Sequence, residues 1–343
     1  MKILIAGLGS IGRRHLRNLR DLNIEELVLL RSGRATLSDD ELAGFPTERD
    51  ITEALQRHQP DAVVVSNPTS LHLDVAIPAA EVGCHLLLEK PISHTMERVP
   101  ILANIVQQKN LKVLTGFQFR FHPGLQHIKQ LLDSDGIGAV TSVEAHWGEY
   151  LPGWHPWEDH RAGYAAREDL GGGVLLTLCH PFDYLRWLIG EIQSVSAMTA
   201  QQGGLNIQVE DTANTMFRFE NGALGTVHLD YIQRPPTHTL QITGQHGRIL
   251  WDNTDGEVHW YQDKTETWQT ETFHKGPNGF DRNTLFLQEM KHFIDCIEND
   301  TDPCVNLTDG IAALQLVLAA KASSSQQREI TYPHAERKKD GVG

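Results

Sequence analysis

Met1-Lys2-Ile3-Leu4-Ile5-Ala6-Gly7-Leu8-Gly9-Ser10-Ile11-Gly12 is the stretch that decides the fold. Ile3 to Ala6 is a short, wholly apolar run, as expected of a strand buried on both faces. It leads straight into glycines spaced G-x-G-x-x-G. Residues 11–22 then place Leu16, Leu19 and Leu22 on one side of a helix. Strand, glycine turn and helix in that order make a phosphate cradle. The first glycine permits the tight turn, the second lets a pyrophosphate approach the backbone, and the third lets the helix pack on the strand. The helix N-terminus adds free N–H groups and a positive dipole. Gly7, Gly9, Ser10, Ile11 and Gly12 are therefore expected to bind a dinucleotide.

Outward from this turn, short apolar runs at 27–30, 61–66, 85–88 and 112–115 alternate with helical patterns at 52–58, 72–82 and 97–109. That alternation implies a doubly wound parallel sheet with helices on both faces. The second half differs. Longer alternating runs at 140–147, 194–199, 212–219, 225–231, 239–243 and 248–252 read as successive antiparallel strands, with Asn221-Gly222 as a hairpin turn. A helix is expected over 174–188, and two more over 282–299 and 307–323. The expected fold is thus α/β: a doubly wound domain over 1–119, then an α+β domain over 120–343 with a large, mostly antiparallel open sheet.

The 343 residues suit two domains, and a net charge of −14 argues against a nucleic-acid partner, which needs a basic face. No apolar stretch is long enough to span a membrane. Cys84, Cys179, Cys296 and Cys304 are scattered without a C-x-x-C pair, which fits a reducing cytoplasm and no cysteine zinc site.

The second strand of a dinucleotide domain commonly ends in an acid that binds the ribose. Here it ends Leu29-Leu30-Arg31-Ser32-Gly33-Arg34. An acid would repel a 2′-phosphate, whereas guanidinium groups bind one bidentately. Arg31, Ser32 and Arg34 therefore favour NADP(H), with NAD(H) possible if the arginines are only solvated loop charges.

Several patterns now stand in order: the glycine turn, Asn67-Pro68-Thr69-Ser70-Leu71-His72, Glu89-Lys90-Pro91, Gly171-Gly172-Gly173 running into His180 and Asp183, and the closing region from Pro303 to Gly310 before a helix. Together they resemble the glucose–fructose oxidoreductase/inositol dehydrogenase (Gfo/Idh/MocA) family over almost the whole chain. The resemblance implies a Rossmann domain, a C-terminal domain with an open sheet, and dimers or tetramers formed through that sheet. It also implies hydride transfer between a nicotinamide and a hydroxyl-bearing carbon of a sugar, cyclitol or related polyol. Asn67 and Pro68 would border the nicotinamide and ribose. Glu89 would lie on the same cofactor side, and His72 would either contact cofactor or cap and pack the helix it begins.

Oxidising an alcohol needs a base for the hydroxyl proton and a partner for the developing alkoxide. Lys90 follows a buried strand, at the end where open sheets bind ligands, and a lysine partly out of water can join proton exchange there. The resemblance places a catalytic lysine at this position and a substrate-facing histidine at His180. His180, Asp183, Tyr184 and Trp187 share one helix face by their spacing. The family's usual D-x-x-x-H acid is missing; Thr177 stands nearby and can hydrogen-bond but cannot be a carboxylate base. Lys90 and His180 then suffice as the acid/base pair, or Asp183 orients His180, or the chemistry is weakened.

Trp154-His155-Pro156-Trp157-Glu158-Asp159-His160-Arg161, with Tyr164, reads as a pocket-lining loop. Its aromatic faces and polar groups suit sugar rings, and Arg161 could hold a carboxylate or phosphate. His155, Glu158 and His160 match no standard zinc spacing, so no metal is expected. Arg120, at the domain junction, is a candidate substrate contact. Two other functions remain open: redox-neutral glycoside cleavage with a tightly held dinucleotide, and a cofactor-binding regulator without catalysis.

Overall fold

The computed structural model describes residues 1–33, 37–273 and 281–331. The first strands are β1 (Ile3–Ala6), β2 (Leu27–Leu30), β3 (Thr47–Glu48), β4 (Ala62–Val65), β5 (His85–Leu88) and β6 (Val113–Thr115). They form a parallel sheet in the order β3-β2-β1-β4-β5-β6. The connections run outward in opposite senses from β1 and β4, and such a switch point opens a ligand crevice at the strands' carboxyl ends. β1, β2 and β4 are buried along their whole length, as their unbroken apolar runs require.

Helices α1 (Ser10–Asp21), α2 (Ile51–His58), α3 (His72–Glu81) and α4 (Val99–Lys109) connect these strands. Asp50 caps α2 by accepting the Glu53 N–H at 3.0 Å. α1 begins after Gly9 without any side-chain cap, which leaves first-turn N–H groups for a ligand.

α5 (Pro123–Asp133) leads to the second sheet, made of β7 (Val140–Tyr150), β8 (Ile192–Ala200), β9 (Thr212–Phe219), β10 (Leu224–Asp230), β11 (Ile232–Gly244), β12 (Gly247–Asp252), β13 (Glu257–Gln262), β14 (Thr267–Thr272) and β15 (Ile330–Thr331). Their order is β14-β13-β12-β11-β7-β10-β9-β8-β15. Neighbours are antiparallel except β7 and β10, which pair in parallel. One face buries Val143, Ala145, Trp147, Phe217, Val227, Leu229, Leu240 and Ile242. The alternate residues, including Glu144, Asn214, Met216 and Thr226, are exposed on the other face.

The remaining helices are α6 (Val174–Thr177), α7 (His180–Ile189), α8 (Asn283–Glu298) and α9 (Leu307–Gln326). The single helix expected over 174–188 is therefore broken after Thr177. Pro181 is the cause: it has no N–H to bond the carbonyl four residues earlier, and its ring crowds that position. The carbonyl so released is that of Thr177.

Candidate active site

Gly7 adopts φ +90°, and a Cβ added there would lie 2.5 Å from the Asn67 backbone nitrogen. A Cβ on Gly12 would lie 1.8 Å from the Gly7 carbonyl oxygen. Only glycine fits at either place, so the ends of β1 and β4 meet with no side chain between them. Around Gly9 nothing lies within 4 Å of an added Cβ, which leaves open space at the uncapped start of α1. These are the features a pyrophosphate needs, and the residues present fit a dinucleotide.

At the end of β2, Arg31 donates to Asp39 Oδ1 at 2.7 Å, and Ser32 is exposed beside it. Arg34 lies outside the described residues. Asn67 donates from Nδ2 to the Leu71 carbonyl at 3.0 Å, and Pro68 beside it is half-buried. His72 is 2% exposed and sits between two backbone carbonyls, that of Asn67 and that of Pro91, each 2.9 Å from a ring nitrogen. Burial pushes its pKa down to about 4, so the ring is neutral. A neutral ring donates to one of the two carbonyls and packs against the other, between the loop after β4 and the loop after Lys90.

Lys90 stands half-buried two residues beyond β5, and its ammonium donates to the Thr177 carbonyl at 2.8 Å. This is the carbonyl that Pro181 leaves unpaired. Glu89, expected on the cofactor side, is engaged with neighbouring protein groups. Its Oε1 lies 2.8 Å from His15 Nε2, and its Oε2 accepts the Lys90 N–H at 3.3 Å. Burial works to raise the Glu89 pKa, but His15 outweighs it and holds the carboxyl below its ordinary value. Glu289, on α8, is fully buried without a hydrogen-bond partner. Burial, reinforced by Glu89, raises its carboxyl well above the usual range.

His180 begins α7 and is 1% exposed. Its ring packs against Phe119 at 5.1 Å, Trp147 at 5.2 Å and Phe117 at 5.6 Å between centroids. Burial, then the charges of Lys90 and Arg282, depress its pKa well below 6.5, so it is a neutral imidazole. Its Nδ1 is buried without a partner. Tyr164 lies within electrostatic reach of Lys90; burial raises its phenol pKa and the lysine offsets part of the rise. The buried Thr177 hydroxyl lies near that of Tyr231 without a hydrogen bond of normal geometry. Lys90, Tyr164, Thr177 and His180 thus converge.

Three expected substrate contacts are otherwise engaged. Asp183, 1% exposed, takes both Arg120 Nε at 2.8 Å and Nη2 at 2.7 Å. Arg120 also lies over Trp187, 5.2 Å from the ring centre. Burial works against the Arg120 charge, but Asp183 outweighs it and raises the guanidinium pKa. The pair pins the segment before α5 to α7. Arg161 is exposed and bonded to Asp159, so it is not held towards Lys90. Trp154 packs edge-on to Tyr231 at 5.7 Å, and His155 lies 5.0 Å from Trp157. Both have a buried ring nitrogen without a partner.

Sequence reading missed His15, Glu289 and His238. His238 stacks on Trp147 with centroids 4.3 Å apart. Its signal was present, since His238, Leu240 and Ile242 alternate along β11 and all face inward. His15 lies in a helix rich in arginine and Glu289 in one of mixed character, and no spacing announces that either is buried.

Residues 1–117 match the model of an oxidoreductase family with an NAD-binding Rossmann fold, and residues 125–250 match the GFO/IDH/MocA C-terminal domain. The chain belongs to the Gfo/Idh/MocA family. It is similar to myo-inositol 2-dehydrogenase of Thermotoga maritima, 27% identical over 96% of this chain and 98% of that one. It is also similar to D-xylose 1-dehydrogenase (NADP(+)) 2 of Haloferax volcanii, 25% identical over 85% and 86%. Levoglucosan dehydrogenase in complex with NADH and levoglucosan shares the fold, with a TM-score of 0.86 and 20% identity over 97% of this chain and 100% of that structure. The chain is thus an oxidoreductase with a nicotinamide-dinucleotide domain. Among the described residues, no helix is long and apolar enough to cross a membrane.

Proposed function

We propose that this chain is a dehydrogenase acting on a hydroxyl-bearing carbon of a sugar or cyclitol, with Lys90 and His180 as its acid/base pair. The observation that carries this reading is the convergence of Lys90 and a neutral, buried His180 beyond β5, in the same sheet end as the glycine turn. A dinucleotide held by its pyrophosphate at that turn would supply a nicotinamide as hydride acceptor or donor. Lys90, fixed by the Thr177 carbonyl, offers its ammonium to the substrate oxygen and stabilises negative charge there. His180, kept neutral by burial and by the nearby cations, takes the hydroxyl proton during oxidation and returns it during reduction. Phe117, Phe119 and Trp147 wall the imidazole from water. Tyr164, Thr177, Trp154 and His155 are proposed to line the substrate side.

The cofactor reading is NADP(H), with NAD(H) also accepted. Arg31 is paired with the exposed Asp39, and a 2′-phosphate would have to displace that carboxylate to take the guanidinium. The exposed sheet face, with Met198 and Met216 79% and 61% exposed, is proposed as the contact in a homodimer or homotetramer.

A panel of inositols, aldoses and uronates, assayed with both cofactors by reduced-nicotinamide absorbance, tests the reading. Lys90→Met is expected to lower kcat on the active substrate by about 10²–10⁴-fold while dinucleotide binding persists. Normal turnover by that variant, or dinucleotide binding without turnover on the whole panel, would overturn it.

A further inference from the structure

On the solvent face of the second sheet, one register row runs Thr239, His146, His228, Asn214, Met198 across five strands. Asp230 lies one pleat along β10 from His228, opposite Gly148 on β7. Its Oδ2 is 3.1 Å from His228 Nε2 and 3.8 Å from His146 Nε2. Tetrahedral zinc, with bonds of about 2.0–2.2 Å to nitrogen and oxygen, needs ligand atoms roughly 3.3 Å apart. The two distances from Asp230 bracket that separation, and the three ligand atoms all lie within 4.8 Å of one another.

The surroundings are built for this arrangement. Asp230 is 3% exposed, and its Oδ1 accepts the Ile232 N–H at 2.9 Å, which leaves Oδ2 for the imidazoles. Gly148 makes the room: a Cβ there would lie 2.4 Å from Asp230 Oδ2 and 2.1 Å from Gln233 Oε1. Gln233 Oε1 accepts a hydrogen bond from His146 Nε2 at 2.7 Å, a bond that a metal would displace. Asn214 Oδ1 lies 2.9 Å from His228 Nδ1. An outer partner on the second ring nitrogen is typical of metal-bound histidine. A depression lined by Glu144, His146, Asn214, Thr226, His228, Thr239 and Gln241 leaves the position outward of the triad open to solvent.

We propose that His146, His228 and Asp230 form a zinc-type divalent-metal site, separate from the dinucleotide crevice, with an outward position left for water or another ligand. Two imidazoles and a carboxylate suit a first-row ion such as zinc better than calcium or magnesium, which take all-oxygen sets. The triad comes from β7 and β10 paired in parallel, so no local sequence spacing announces it. It also lies across the sheet from the redox site: Trp147, next to His146, points the other way and packs on His180.

The test uses the full untagged chain from zinc-supplemented cells, dialysed against metal-free buffer and assayed for metal by atomic emission. Loading during synthesis matters because this face is also the proposed contact with a second copy. Zinc equimolar with protein is expected. His228→Ala is expected to lose it, and Asn214→Ala to weaken binding about 10–100-fold in a chelator competition. His259→Ala, in the separate Asp255, Glu257, His259 group, serves as a comparison and is expected to keep the zinc. Should His228→Ala fail to fold by circular dichroism, the surface Asn214→Ala carries the test alone. Zinc-free wild-type protein overturns the proposal, as does a folded His228→Ala or Asn214→Ala that holds zinc like wild type. Dinucleotide binding is expected to be unchanged in all three variants.

Discussion

Removing the Asp183 carboxylate is expected to destabilise the protein rather than weaken substrate binding. Asp183 is 1% exposed and Arg120 9%, joined by two hydrogen bonds below 2.9 Å. Breaking such a pair from one side strands a buried charge and costs about 3–5 kcal/mol. The lower end applies here, because Asp309 Oδ1, 3.5 Å from Arg120 Nη2, and the Trp187 ring remain to stabilise the guanidinium. A loss of about 3 kcal/mol lowers the melting temperature by roughly 5–10 °C in a chain of this size. Asp183→Ala should show that fall by scanning calorimetry. Arg120→Met combined with Asp183→Leu should recover most of it, since buried pairs replaced by apolar residues are often neutral. The reasoning is refuted if Asp183→Ala melts with wild type and instead raises KM, the signature of a substrate contact.

Acid should unfold the protein early. His72 and His122 are buried and neutral, with pKa values of about 4 against 6.5 when unfolded. Below pH 6.5 the unfolded chain binds protons that the folded chain refuses, so stability falls as pH drops towards 4, by about 3 kcal/mol for each histidine. A urea midpoint that stays flat from pH 7 to 5 contradicts this. Glu289 has the opposite sign: its folded pKa is raised, so stability falls as pH rises above about 4.5. Glu289→Gln should flatten that loss and stabilise the chain near pH 8, and a lower midpoint there would show that the carboxylate has an ionic partner. Gly12→Ala drives a Cβ into the Gly7 carbonyl at 1.8 Å and should abolish dinucleotide binding by fluorescence titration; normal affinity would mean the turn is not the site.

Much of the fold could be read because its signals are local. Ile3 to Ala6 and Ala62 to Val65 are unbroken apolar runs, as a strand buried on both faces requires. Lys90 and His180 are proposed from motifs that state a position. Arg120, Asp183 and Glu89 show where that reading stops. Each is a polar residue in the right neighbourhood, but its partner lies 63 or 74 residues away, and only three-dimensional packing decides whether it meets substrate or another side chain. The break after Thr177 was readable in principle from Pro181. The helical periodicity of residues 174–188 masked it.

The anchor of Lys90 is a main-chain oxygen. Any residue at 177 presents the same carbonyl, provided Pro181 keeps the helix open there. The side chain at 177 can therefore change without displacing the lysine. A lineage can exchange threonine for a larger, smaller or acidic residue facing the pocket and so sample new substrates while the proton-handling group stays in place. The proline, which handles no proton itself although it follows His180 directly, is the residue such drift has to spare.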